Sequence, residues 1–212
     1  MYIDILDLEI EDSQQLKLNK YLDTLLFWQK SINLISNDTI KDAKLRHFYD
    51  SLQLLKHLRN LEVEKGWSDK SINIFDLGSG AGFPSLVLAI FDSKNQYYLI
   101  ESNSKKASFL LEIVRSLELT NVVVVNKRIE DFYNNGIKAN IVISRGLTKL
   151  VGLVEASKNL GFHDVICMFL KGESYMQEID DLLSKNTKSS LDISTFESLT
   201  NKDSRIIIIK NL

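Results

Sequence analysis

The sequence predicts an α/β fold, a mostly parallel, doubly wound sheet of about seven strands behind a helical N-terminal extension. Three observations carry this. From Ile72 onward, short apolar runs alternate with amphipathic segments. A glycine-rich turn follows the first of those runs. Residues 1–65 instead show only the three- and four-residue apolar spacing of helices.

In chain order, Leu18, Tyr21, Leu22, Leu25, Trp28 and Ile32 line one face of a first helix, with Ser13 as its N-cap. Asn33 to Asp38 reads as a loop. Leu45, Phe48, Tyr49, Leu52, Leu55 and Leu58 form a second amphipathic stripe, and the polar stretch Asn60 to Ser71 is a connection. Ile72 to Leu77 then reads as a buried strand. Leu86 to Phe91 is a helix, Tyr97 to Glu101 a strand, Lys105 to Leu117 a helix and Val122 to Val125 a β-branched strand. Ile141 to Ser144, Val165 to Leu170 and Arg205 to Ile209 are further strands, with Leu147 to Asn159 and Ser174 to Ser184 as helices. The chain thus divides into an N-terminal helical segment, 1–65, packed on a catalytic domain, 66–212.

Composition narrows the function. The 212 residues are 44% apolar and 25% charged, ordinary values for a folded globular chain. A net charge of −2 provides no global basic field, so any nucleic-acid site is a local patch. No apolar run reaches membrane-spanning length, and the acidic N-terminus lacks a basic lead into an apolar core, so the cytoplasm is the expected location. The single cysteine, Cys167, excludes a disulfide framework and an iron–sulfur cluster, and no metal site is expected. It lies within an apolar strand, where a free thiol is more often inert than nucleophilic. Of the three histidines, His57 and His163 read as surface or partly packed residues.

The sharpest feature is the loop Asp76-Leu77-Gly78-Ser79-Gly80-Ala81-Gly82-Phe83-Pro84. It lies outside the carboxyl end of the first strand, where open α/β sheets bind ligands. A dinucleotide fingerprint requires a glycine at position 83, which is Phe83 here. The spacing G-x-G-x-G behind Asp76 suits a ligand without a pyrophosphate, such as S-adenosylmethionine. Asp76 would support the loop or meet that ligand's ammonium. Glu101, at the end of the second strand, is placed to accept two ribose hydroxyls, a role shared by both cofactor classes. Ile129 and Glu130 follow the third strand; they border an adenine ring, or Glu130 only starts a short helix.

Arg145 and Lys171 end two later strands on the same edge, where they suit phosphate or base contacts. Arg46 and Asp50, four apart, share a helical face, as do His47 and Ser51. Periodicity favours a solvated ion pair there, and the alternative is a polar patch facing the active-site mouth. The Asn/Asp-Pro-Pro-aromatic signature of exocyclic-amine methylation is absent, since the only proline is Pro84. Methyl transfer to a ready nucleophile remains.

These motifs resemble one family, the bacterial small-subunit rRNA guanine-N7 methyltransferases, formerly called glucose-inhibited division protein B. The markers are Asn33-Leu34-Ile35-Ser36, Arg46-His47-Phe48-Tyr49-Asp50-Ser51, the glycine loop, and Glu101-Ser102-Asn103-Ser104-Lys105-Lys106. Arg128-Ile129-Glu130, Ile143-Ser144-Arg145 and Leu170-Lys171-Gly172 complete the set. The resemblance implies a Rossmann-like class I S-adenosylmethionine-dependent methyltransferase that acts as a monomer on 16S rRNA or the small ribosomal subunit. The implied acceptor is a guanine in the 530 loop, position 527. Asp76, Gly78, Ser79, Gly80, Gly82, Phe83, Glu101, Ser102, Ile129, Glu130 and Arg145 would line the cofactor site. Arg46, His47, Asp50, Arg145 and Lys171 would be the substrate-side residues. The chain departs from the family pattern at Ala81, Ser85, Asn140 and Gly146, where Pro, Gly, Asp and Ala are usual. The alternatives are a small-molecule methyltransferase on the same fold, a non-catalytic ribosome-binding module and, disfavoured by Phe83, a nicotinamide oxidoreductase.

Overall fold

The computed structural model describes residues 8–132, 136–159, 164–186 and 190–212; His163 lies outside them. Helix α1, Asp12–Gln29, buries Leu18, Tyr21 and Leu25. Its N-cap is Glu11, which forms a reciprocal box with Gln14, so Ser13 is not the cap but lies inside the helix. Ile32 falls beyond the helix end. The segment 33–38 contains the start of a short 3₁₀ turn, Asn37–Thr39.

The second apolar stripe is not one regular helix. It opens as a π-helical segment, Lys44–Tyr49, continues as the short α2, Asp50–Leu52, and ends as α3, Leu54–Glu64. His47 in the π-helical segment and Ser51 in α2 are both buried. Helix α3 also runs five residues, 60–64, into the stretch that reads as a connection.

Among the described residues seven strands follow, β1 Asn73–Leu77, β2 Gln96–Ile100, β3 Val122–Val125, β4 Ile141–Arg145, β5 Ile166–Lys171, β6 Asp192–Glu197 and β7 Arg205–Lys210. The helices between them are α4 Ser85–Phe91, α5 Ser104–Ser116, α6 Leu150–Asn159 and α7 Tyr175–Lys185. The sheet order is β3-β2-β1-β4-β5-β7-β6, with β7 antiparallel to both neighbours. Strand β6 has no counterpart in the sequence reading because its residues are mostly exposed or half-buried and include Asp192, Ser194, Thr195 and Glu197.

Alternation through the sheet separates two cores. Ile74, Leu99, Ile143, Met168, Ile206 and Ile208 face the cluster built with α1, α3, α4 and α5. Phe75, Val142, Cys167, Phe169, Ile207 and Ile209 face the cluster built with α6 and α7. The sheet order reverses between β1 and β4, so a crevice opens outside their carboxyl ends.

A buried ion pair braces that edge. Lys171 Nζ lies 2.7 Å from Glu178 on α7 and donates at 2.7 Å to the Thr148 carbonyl. Glu178 accepts the Leu150 N–H at the start of α6 and the Ser174 hydroxyl. Removing one partner strands a buried charge, whereas replacing both with apolar groups does not. Glu178→Ala should cost about 3–5 kcal/mol in urea denaturation. Lys171→Met combined with Glu178→Leu should cost less than the single change.

Candidate functional site

The residues that border the crevice are held from below by the glycine loop. Gly78, Gly80 and Gly82 adopt φ values of +69°, +57° and +86°, which side chains rarely tolerate. The loop arches over Asp76, whose carbonyl accepts the Ser79 hydroxyl. Its outer flank is fixed by α1, where the Tyr21 hydroxyl donates to the Ala81 carbonyl and the ring stacks on Phe83 at 5.3 Å. Glu101 closes the other flank. One oxygen accepts the Gly80 N–H at 2.8 Å and the other accepts the Asn103 N–H at 2.7 Å.

Together these elements enclose a cavity of about 480 Å³. Its walls include Gly78, Ser79, Gly80, Phe83, Glu101, Ser102, Ile129, Glu130 and Arg145, all expected from the sequence. Asp76 and Gly82 lie behind the wall. A Cβ on Gly82 would come within 2.4 Å of Leu86 and 2.7 Å of the Tyr21 hydroxyl, so Gly82 admits α1 and α4 rather than ligand. Leu34 and Lys106, Lys127 and Arg128 also border the cavity. Leu34 is delivered there by Gln29, whose side-chain oxygen accepts the N–H groups of Leu34 and Ile35. Nothing in the spacing marks Gln29 for that task; a polar residue at a helix end followed by apolar loop residues is the available signal.

Arg145 forms the mouth. Its guanidinium sits 5.1 Å over the Phe83 ring. It donates to His47 Nδ1 at 2.9 Å and to the Arg46 carbonyl at 3.2 Å, and lies 3.5 Å from Asp50 Oδ2. Arginine can only donate, so His47 Nδ1 accepts and the proton resides on Nε2. Nε2 donates in turn to the Thr39 hydroxyl at 2.9 Å, which itself donates to the Ser36 carbonyl. Burial, then the Arg145 and Arg46 charges, hold the imidazole down at about 3. It is neutral, with both nitrogens engaged.

The Arg46–Ser51 segment is therefore not the solvated ion pair that periodicity favours. His47 and Ser51 are buried, and Asp50 pairs with Arg145 at the end of β4. Lys171 is not brought to the cavity, because its ammonium is engaged by Glu178 and Thr148. The departures from the family pattern have structural counterparts. Asn140 continues the β1–β4 pairing by accepting the Asn73 N–H, and Gly146 adopts φ +70°. Ser85 donates to Asp76 Oδ2 at 2.6 Å. Asp76 Oδ1 has no partner among the described residues, and burial pushes the carboxyl up to about 7.

The GidB family model, described as rRNA small subunit methyltransferase G, matches residues 14–207. A protein named ribosomal RNA small subunit methyltransferase G from Orientia tsutsugamushi (strain Ikeda) is 36% identical over 194 residues, covering 92% of this chain and 89% of its own. One of the same name from Rickettsia bellii is 33% identical over 196 residues, covering 92% of this chain and 93% of its own. Among solved structures, a SAM dependent methyltransferase from Aquifex aeolicus aligns with TM-score 0.56 at 16% identity, over 84% of this chain and all of that one, a likeness of fold.

Protonation of Asp76 carries a definite sign. An unfolded carboxyl releases its proton near 4, whereas the folded one holds it to about 7. Folding stability from this group is therefore full below pH 4, falls between about 4 and 7, and is constant above. Asp76→Asn should gain on the wild type as pH rises through that window, read from melting temperatures at pH 5 and pH 8.

Proposed function

The chain belongs to the rRNA small subunit methyltransferase G family, and from that premise we propose that it methylates N7 of a guanine in the 530 loop, position 527, of 16S ribosomal RNA. S-adenosylmethionine is the methyl donor and supplies, when bound, a methyl group activated by an adjacent sulfonium.

The cavity's residues fit that donor. Asp76, behind the wall, supports the glycine loop from beneath through the Ser79 and Ser85 hydroxyls. Glu101, already oriented by two N–H groups, suits the ribose hydroxyls. Ser102 stands beside it in the wall. Ile129 provides an apolar surface for adenine, and Glu130 an acceptor for its amine. Gly78, Ser79 and Gly80 let backbone approach closely, and Phe83 closes the end beneath Arg145.

The observation that carries the choice of N7 is the state of His47. The imidazole at the mouth is neutral and hydrogen-bonded at both nitrogens, so it does not take a proton from an acceptor. Guanine N7 presents a lone pair and no proton. The remaining work is alignment of the acceptor nitrogen with the methyl carbon, a contribution of about 7–11 kcal/mol in well-oriented systems. Arg145, pinned by His47, Asp50 and the Arg46 carbonyl, orients a phosphate or the cofactor at the mouth. Exposed Arg46, with Lys106, Lys127 and Arg128 around the rim, supplies cations for the RNA backbone on a chain of net charge −2. Lys171 serves from behind, bracing residues 145–149 through the Thr148 carbonyl. We read residues 1–65 as the segment that completes the mouth and 66–212 as the methyltransferase domain.

The test incubates the purified protein with labelled S-adenosylmethionine and small ribosomal subunits lacking this methyl group, then maps 7-methylguanine by chemical cleavage. One modified guanine in the 530 loop is expected, with weaker binding as salt rises. Arg145→Ala should lower kcat/KM about a hundredfold. Transfer to another base or to no base, with S-adenosylmethionine still bound, would overturn the assignment and leave a small-molecule acceptor as the reading to pursue.

A further inference from the structure

We propose that Thr200, in the turn between β6 and β7, is a positioning residue for methyl transfer, acting through Asp50 on the Arg145 guanidinium. The inference rests on the role given above to Arg145. Thr200 is remote from the glycine loop in sequence, does not border the cavity, and belongs to none of the motifs that mark the family.

The topology brings it there. Strand β7 runs antiparallel to β5, so Lys171 at the end of β5 pairs with Arg205 at the start of β7. The β6–β7 turn therefore rises on the same sheet edge as the cavity. It is built as a closed unit. Ser198 N–H donates to the Ser204 carbonyl, Ser204 N–H to the Asn201 carbonyl, and the Asn201 side chain to the Ser204 hydroxyl. The Leu199 N–H donates to Gln53 Oε1 at 2.8 Å, anchoring the turn to the N-terminal helices.

From this unit hydroxyl groups converge on Asp50. Thr200 Oγ1 donates to Asp50 Oδ1 at 2.6 Å, and Ser198 Oγ lies at 3.3 Å. Gln53 Nε2 adds a third donor at 2.8 Å. The Thr200 contact is the shortest of the three and has the length of a charge-assisted hydrogen bond. With Oδ1 occupied by three donors, Oδ2 is left facing Arg145 at 3.5 Å. That separation is long for an ion pair, so Asp50 steers the guanidinium without capturing it. Removing the strongest donor frees the carboxylate to rotate and close on Arg145. The guanidinium would then be drawn off its His47 contact and away from the mouth.

The experiment measures methyl transfer to small subunits, with S-adenosylmethionine, for Thr200→Val, Thr200→Ser, Arg145→Lys and the Thr200→Val, Arg145→Lys double variant. Melting temperatures are recorded for each. Thr200→Val removes one charge-assisted hydrogen bond and should lower kcat/KM about tenfold with little change in melting. Thr200→Ser keeps the hydroxyl and should stay within about twofold of wild type. In the Arg145→Lys background, which lacks the planar fork, Thr200→Val should cause little further loss. Wild-type activity in Thr200→Val, or a loss that multiplies fully with Arg145→Lys, would overturn the proposal. The second pattern marks a purely structural turn, and it is readable even where Thr200→Val lowers the melting temperature. Wild-type activity in Arg145→Ala would instead overturn the role of Arg145 itself.

Discussion

One cation, the Arg145 guanidinium, sets the terms for the rest of the site. It is largely withdrawn from water, and a withdrawn charge must be satisfied by fixed partners. Those partners come from two separate parts of the chain, residues 46–50 and the glycine loop. The π-helical segment supplies the Arg46 carbonyl and His47, the first residue after it supplies Asp50, and the glycine loop supplies the face of Phe83. The N-terminal helices and the sheet are thus joined at the mouth of the cavity by a constraint that neither meets alone. His47, within the π-helical segment, is buried, stacked on Phe83 and hydrogen-bonded to Thr39.

A second set of contacts fixes the floor beneath that cation. Tyr21 reaches from α1 to the Ala81 carbonyl and stacks on Phe83, and Gly82 provides the space for it. The loop's shape is therefore a joint property of its glycines and of Tyr21, 60 residues before Ala81. Behind it, the Lys171–Glu178 pair performs the same service for the segment after β4. The cavity is bounded by backbone that is held from outside, which suits a reaction whose main demand is orientation rather than proton transfer.

Much of this is legible in the sequence, for identifiable physical reasons. Buried parallel strands read as apolar runs, so β1 to β5 and β7 emerge with their carboxyl ends, and with them the loop, Glu101, Ile129 and Arg145. What escapes the sequence depends on tertiary partners. Strand β6 is polar and edge-like. Gln29 acts through loop backbone that no pattern marks. Lys171 reads as a free strand-end cation because its counter-ion, Glu178, lies on another element. His47 lies in a π-helical segment, which departs from the period used to assign its face. Asp76 reads as a loop support or a ligand contact, and its buried, half-satisfied carboxyl is visible only in three dimensions.

The central claim is that His47 is a neutral, fully hydrogen-bonded support for Arg145 and not an acid or base. The most direct test is nitrogen-15 NMR of the His47 imidazole in the intact protein from pH 8 down to pH 4. The account predicts an Nε2-protonated neutral ring throughout, with Nδ1 shifted by the Arg145 contact, consistent with an ionisation held down at about 3. An imidazole that titrates near 6.5, the unperturbed value, would contradict it and return His47 to the list of groups able to move a proton.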